Sequence, residues 1–278
     1  MYPNFIIIGA MKCGTSSLYH YLNRHPEVEM SDVKELDYFV AENNFDKGPE
    51  WYSDQFTEEG KIHGEASPNY SKAHYFENVP GRMHALLPDI KLIYLVRDPV
   101  ERIISHYTHN YSEGREARSL TEALEELEDN HYVLCSRYYW QLEHYLGYYD
   151  KDQILVVPSY ELKDQRRETL QYIFEFIGVD ASYYNPAYDS VQHQTSAKLK
   201  KSRLSWYILE SPGIKMLKGL VPDAVKNPIK RMTRTKVKKP TINPDDERRV
   251  RQFLQDDMEA LADFAERDIA FAHTSLVN

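Results

Sequence analysis

The chain has 278 residues, 42% of them hydrophobic, and a formal net charge of −9. That is enough apolar material for a substantial core in one α/β domain or two small ones, and no apolar run approaches the ~20 residues of a membrane-spanning helix. Two cysteines, Cys13 and Cys135, exclude a disulfide framework or a structural zinc site.

Phe5 to Ile8 is a short β-branched and aromatic run, the pattern of a buried strand. Gly9 and Gly14 then bracket a loop with one cation, Lys12, and Thr15, Ser16 and Ser17 open a helix with Leu18, Tyr21 and Leu22 on one face. Pro26 ends that region, and Glu27 to Met30 reads as a short strand. Residues 42 to 60 read as loop with a short helix around Trp51 and Tyr52. Lys61 to Ser67 is a strand running into the turn Ser67-Pro68-Asn69-Tyr70. Helical periodicity over Gly81 to Leu87 stops at Pro88. Lys91 to Val96 is the clearest strand in the chain, followed by Pro99 at a position where a first helical turn tolerates it and by helix to Tyr111. Ser119 and Glu122 have capping-box spacing. Val133 to Tyr148 reads as one aromatic-rich helix, Gln153 to Val157 as a strand, and Glu168 to Ile177 as a helix closed by Gly178. A last helix over 244–267 carries the stripe Val250, Phe253, Leu254, Met258, Leu261 and Phe264. Strands alternating with helices predict a parallel sheet covered by helices on both faces, with ligands at the carboxyl ends of the strands.

Strand, glycine-bracketed loop and helix N-terminus form a phosphate-binding geometry, because loop amides and the helix dipole both favour an anion. The spelling is not that of a nucleoside triphosphate loop, G-x-x-x-x-G-K-[ST]. Thr15 follows Gly14, the lysine precedes Gly14 by two residues, and the strand Lys91 to Val96 ends in Arg97-Asp98-Pro99 rather than a magnesium-binding aspartate. The loop therefore suits a phosphorylated ligand met by protein cations, with no metal expected.

Phe5-Ile-Ile-Ile-Gly-Ala-Met-Lys-Cys-Gly-Thr-Ser-Ser-Leu resembles the 5′-phosphosulfate loop of sulfotransferases that use 3′-phosphoadenosine 5′-phosphosulfate (PAPS). Lys91-Leu-Ile-Tyr-Leu-Val-Arg-Asp-Pro-Val-Glu-Arg-Ile-Ile-Ser-His-Tyr resembles their 3′-phosphate motif, in the same order and at about the same spacing. The likeness is closest to the heparan sulfate branch and its bacterial relatives, and covers most of residues 4 to 180. It implies the sulfotransferase fold, a P-loop-type parallel sheet flanked by helices, in a single domain over residues 1–278. It also implies PAPS as donor and a hydroxyl of a carbohydrate or glycolipid as acceptor. Lys12 is expected to stabilise the leaving phosphate. Cys13, Gly14, Thr15, Ser16 and Ser17 are expected around the 5′-phosphate, with Cys13 as a small packing residue. Arg97 and Ser105 are expected on the 3′-phosphate, and Tyr138 near the nucleotide.

Glu35, in Glu35-Leu-Asp-Tyr-Phe, stands where the glycan-type branch has its general base; Asp37 replaces the histidine often found there. His63 and His106 are alternative bases, as in phenol- and steroid-type relatives. Ala66 stands where a lysine often lines the acceptor cleft, which argues against a highly sulfated polymer as acceptor. Without the Golgi anchor usual in eukaryotic members, the chain is expected in the cytoplasm.

Residues 198 to 239 hold thirteen Lys and Arg against two acids, leaving about −20 for the remainder. Interleaved apolar residues such as Trp206, Tyr207 and Leu217 suggest a lid over the nucleotide or a peripheral membrane contact. The acidic remainder argues against nucleic acid. The competing readings are a P-loop nucleotide or small-molecule kinase and a non-catalytic nucleotide-binding module.

Overall fold

The structure is a computed structural model and describes residues 1–189, 199–201, 234–236, 239–266 and 269. Most of the basic segment, and so the lid and membrane expectations, lie outside the described residues. Five parallel strands form one sheet in the order β2-β3-β1-β4-β5: β1 Phe5–Gly9, β2 Val28–Met30, β3 Ile62–Ala66, β4 Lys91–Val96 and β5 Ile154–Pro158. β1 sits in the middle with all five residues buried, and β4 is buried from Leu92 to Val96. Continuous apolar strands are what a parallel sheet covered on both faces requires.

The helices that position the site are α1 Thr15–Leu22 after β1, α4 Pro99–Ser112 after β4, and α8 Ser159–Asp164 and α9 Arg166–Ile177 after β5. Between them lie α2 Gly48–Ser53, α3 Val79–Leu86, α5 Leu120–Ala123, α6 His131–Leu134 and α7 Tyr138–Leu146; the last described helix is Pro244–Ala265. A large core surrounds the sheet. A smaller one joins α4, α5 and α6 to the last helix through Val100, Ile103, Leu124, Tyr132, Val250 and Leu254. A separate antiparallel pair, Leu199–Lys201 with Arg234–Lys236, brackets the basic segment. No described helix is long and apolar enough to cross a membrane.

The capping box at Ser119 and Glu122 and the left-handed Gly178 after α9 match the expected signals. The single helix expected over Val133 to Tyr148 is two, broken at Cys135 to Arg137. Two side chains from elsewhere impose the break. Ser136 Oγ accepts from Arg102 Nε at 2.6 Å, and the Asp257 carboxylate accepts from the backbone N–H groups of Tyr139 and Trp140 at 3.1 and 2.9 Å. Asp257 thereby caps α7 from the last helix, which local periodicity cannot reveal.

Candidate functional site

The loop after β1 is shaped by close approach. A Cβ at Gly9 would stand 1.9 Å from Ser71 Oγ, so only glycine lets the segment after β3 pack against this strand end. Gly14 takes φ +103° as the N-cap of α1, in the left-handed region, and offers no side chain to the helix amides. The N–H groups of Gly14, Thr15 and Ser16 have no hydrogen-bond acceptor among the described residues. This is a helix start left open to an anion. Lys12 lies in the same loop at φ +76°.

These residues line one cleft of about 820 Å³ at the carboxyl ends of β1, β3, β4 and β5. Lys12, Cys13, Gly14, Thr15, Ser16, Ser17, Glu35, Arg97 and Ser105 all border it. The sequence motifs therefore converge in space although they are drawn from residues 12 to 105. Tyr138 does not border the cleft. It is fully buried, and its hydroxyl donates to the Arg97 carbonyl at 2.9 Å, accepts from the Arg97 N–H at 3.3 Å and touches Cys13 Sγ at 3.6 Å. It clamps the end of β4 to the loop from behind. Cys13 is 1% exposed and its thiol is pushed up to about 11 by burial, which keeps it neutral and suits a packing role.

Arg97 donates through Nε and Nη2 to Glu101 Oε2, at 3.0 and 2.5 Å, one turn along α4. Burial opposes ionisation of Glu101, but Arg97, with Lys239 and Lys163 nearby, holds its carboxyl below the usual range. Lys239, the last residue of the basic segment, is therefore close enough to the cleft mouth to be felt there. Sequence reasoning missed the far wall, where Ser159, Tyr160, Lys163 and Arg166 from α8 and the start of α9 line the same cleft as the loops after β1 and β4. The strand before them is the one signal that places them, since chain leaving β5 must emerge at the same sheet edge as the loops after β1 and β4.

Glu35 and Asp37 both take left-handed backbone, φ +66° and +48°. That conformation is uncommon for residues other than glycine. The Glu35 N–H is bonded to the Ala66 carbonyl at 3.0 Å and its carboxylate pairs with Lys34 at 2.5 Å. Behind it, Asp37 Oδ2 accepts from Asn69 and Asn43 at 2.7 and 3.1 Å, and burial pushes its carboxyl up. Ala66 leaves the end of β3 without a cation, but Lys72 supplies one. Its ammonium donates to Asn69 Oδ1 at 2.7 Å and lies within the electrostatic reach of Asp37 and Glu35. Below them Glu65 is fully buried and accepts from Ser67 at 2.5 Å, from Tyr70 at 2.7 Å and from Tyr52; burial raises its pKa to about 7.

Neither alternative base borders the cleft. His63 is 4% exposed and bonded to the Glu58 carbonyl and Glu29, while His106 is 1% exposed and accepts from Arg102. One trio among the described residues, His74, His131 and Cys135, brings potential metal-ligating atoms within 4.8 Å of one another. Its hydrogen bonds are otherwise committed. Gln141 spends its oxygen on the Ala73 N–H and donates to His74 Nδ1, which puts the His74 proton on Nε2, facing His131 Nδ1 at 2.8 Å.

Residues 2–264 match the sulfotransferase domain family. Human heparan sulfate glucosamine 3-O-sulfotransferase 5 is 33% identical over 198 residues, covering 66% of this chain and 56% of that protein. The chain spans 22–23% of the first mammalian bifunctional heparan sulfate N-deacetylase/N-sulfotransferases that it matches. A sulfotransferase structure from Alicyclobacillus acidocaldarius superposes with a TM-score of 0.69 at 22% identity, covering 97% of this chain and 98% of that one. A mouse sulfotransferase structure complexed with PAP superposes at 0.50 and 13% identity, covering 92% and 84%. Both likenesses are of fold. With a five-stranded parallel sheet of the same architecture and a family match over nearly the whole chain, this chain belongs to the sulfotransferase family.

Proposed function

We propose that the chain transfers a sulfuryl group from PAPS to a hydroxyl of a carbohydrate or glycolipid acceptor. The observation that carries this reading is the single cleft. It joins an open helix N-terminus and Lys12 after β1, an arginine–serine pair at the strand–helix junction after β4 on one side, and a carboxylate, Glu35, beside the end of β3 on the other. Two anionic ends of one nucleotide fit two phosphate sites, and a hydroxyl acceptor fits beside the carboxylate. The heparan sulfate relatives support a carbohydrate acceptor, and the PAP-bound neighbour supports the donor class.

Sulfuryl transfer asks the protein for in-line placement and for stabilisation of charge that grows on the leaving group. Glu35 takes the proton of the acceptor hydroxyl. The acceptor oxygen bonds to sulfur as the bond from sulfur to the 5′-phosphate oxygen breaks. Lys12 and the open amides of α1 meet the charge left on that phosphate. Arg97 and Ser105 hold the 3′-phosphate. Arg97 is already presented as a planar fork, and a phosphate dianion replaces Glu101 readily, because an exposed ion pair of this kind contributes only ~0–1 kcal/mol.

The test is a thermal-shift titration with adenosine 3′,5′-bisphosphate beside ATP with magnesium. At a hundredfold excess over its dissociation constant the bisphosphate stabilises by ~2.7 kcal/mol. Arg97→Ala is expected to remove most of that shift. Stabilisation by magnesium ATP alone sinks the sulfotransferase reading in favour of a kinase.

A further inference from the structure

Arg102 is fully buried, in the second turn of α4, directly behind the phosphate loop. Its Nε donates to Ser136 Oγ at 2.6 Å. Nη1 donates to His106 Nδ1 at 3.3 Å and to the Met11 carbonyl at 3.5 Å, and Nη2 to the Tyr132 carbonyl. Every one of these acceptors is neutral, and among the described residues no carboxylate pairs with it. Taking a cation out of water costs several kcal/mol unless an anion compensates it.

The surroundings add no compensation. His74, His106 and His131 are all pulled down by burial, so they are neutral at pH 7 and carry no charge of either sign. The nearby Lys72 ammonium is repelled by Arg102 rather than paired with it. At Cys13, in the loop itself, burial dominates, and Arg102 is the foremost influence working against it. The charge of this guanidinium is therefore felt in the loop at Cys13, next to the Gly14, Thr15 and Ser16 amides, which have no acceptor among the described residues.

We propose that Arg102 is a positioning residue for the donor, a buried cation whose counter-ion is the 5′-phosphate held in the loop at residues 12–17. The inference rests on the donor reading above. Arg102 touches no ligand; it fixes the loop main chain through the Met11 carbonyl and lends the loop a full positive charge. The two arginines of Arg97-Asp-Pro-Val-Glu-Arg102 then divide the nucleotide, Arg97 taking the 3′ end at the cleft and Arg102 the 5′ end from behind.

The test uses three ligands on the full chain: adenosine 3′,5′-bisphosphate, AMP, which has only the 5′ group, and adenosine 3′-phosphate, which has only the 3′ group. Arg102→Met is expected to weaken the first two by about tenfold or more and to leave adenosine 3′-phosphate within about threefold of wild type. Arg102→Lys, which keeps the charge, is expected to leave the ratio of AMP to adenosine 3′-phosphate affinity as in wild type, and if the Met variant does not fold, Arg102→Gln, neutral but able to hydrogen-bond, takes its place with the same expected loss. Equal weakening of all three ligands in either folded variant reveals a merely structural arginine and overturns the proposal, as does unchanged binding in Arg102→Met. A wild-type chain that binds none of the three instead overturns the donor reading on which the proposal rests.

Discussion

At the scale of single residues, charged groups of the site are paired with near neighbours in sequence, Arg97 with Glu101 and Glu35 with Lys34. Arg97 is held by Glu101 through one carboxylate oxygen, so on the proposed donor reading Glu101 and the 3′-phosphate compete for the same guanidinium. Glu101→Gln removes the anionic competitor while keeping an amide oxygen in place. The expected outcome is bisphosphate binding tighter by about two- to fivefold, within the worth of an exposed ion pair, and no change for AMP. Calorimetric titration of both nucleotides checks it, and weaker bisphosphate binding by the variant would show that Glu101 orients Arg97 rather than occupying it. Sequence motifs already pointed to Lys12, Glu35, Arg97 and Ser105, because each stands next to a glycine, proline or aromatic signal in its own segment. The burial of Tyr138 behind the loop and the place of Arg102 were not legible for one reason. Their positions depend on what packs over them, and a buried tyrosine or arginine is spelled like an exposed one.

At the scale of elements, the break between α6 and α7 is the clearest departure from local reading. The chain from Val133 to Tyr148 has helical periodicity throughout, yet Arg102 and Asp257 claim the groups around residue 136 and at the start of α7. Asp257 is 8% exposed and satisfies two amides at a helix N-terminus, where a carboxylate also complements the helix dipole. Asp257→Ala should lower stability by ~1–2 kcal/mol, with Asp257→Asn recovering part of the loss. Chemical denaturation midpoints of the three proteins test this. Equal midpoints would mean that α7 needs no cap from the last helix. The capped α7 carries Tyr138 against the end of β4, so the same carboxylate, from a helix far along the chain, supports the cleft wall at second hand.

At the scale of the whole molecule, the cleft sits over a buried acid. Glu65, the penultimate residue of β3, lies beneath Glu35 and Asp37, and burial raises its pKa from 4.5 to about 7. The native state therefore holds a proton there that the unfolded chain releases. Its contribution to stability is fully present below about pH 4.5 and is lost as pH rises through about 7. Glu65→Gln, which cannot titrate, is expected to flatten the stability profile across that window relative to wild type, by on the order of 1 kcal/mol per pH unit. Denaturation midpoints at pH 5, 6, 7 and 8 measure the difference; parallel profiles would place the Glu65 proton elsewhere. The same molecule-wide view explains why the cleft was only half legible beforehand. One wall comes from two motifs of recognisable spelling, whereas the other, α8 with Arg166, follows a strand with no motif of its own.

The sequence by itself determined the strands and the glycine-bracketed loop before α1, and the resemblance of its two motifs pointed to the family, because each depends on residues a few positions apart: apolar runs, glycine conformations, caps, and donors set at one helix start. Only the tertiary structure decided which residues share a cleft, which helix is capped from a distance, and which cation is enclosed without an anion. Those outcomes depend on desolvation and on contacts between segments far apart in the chain. Neither composition nor periodicity carries that information, since burial is a property of everything packed around a residue rather than of the residue.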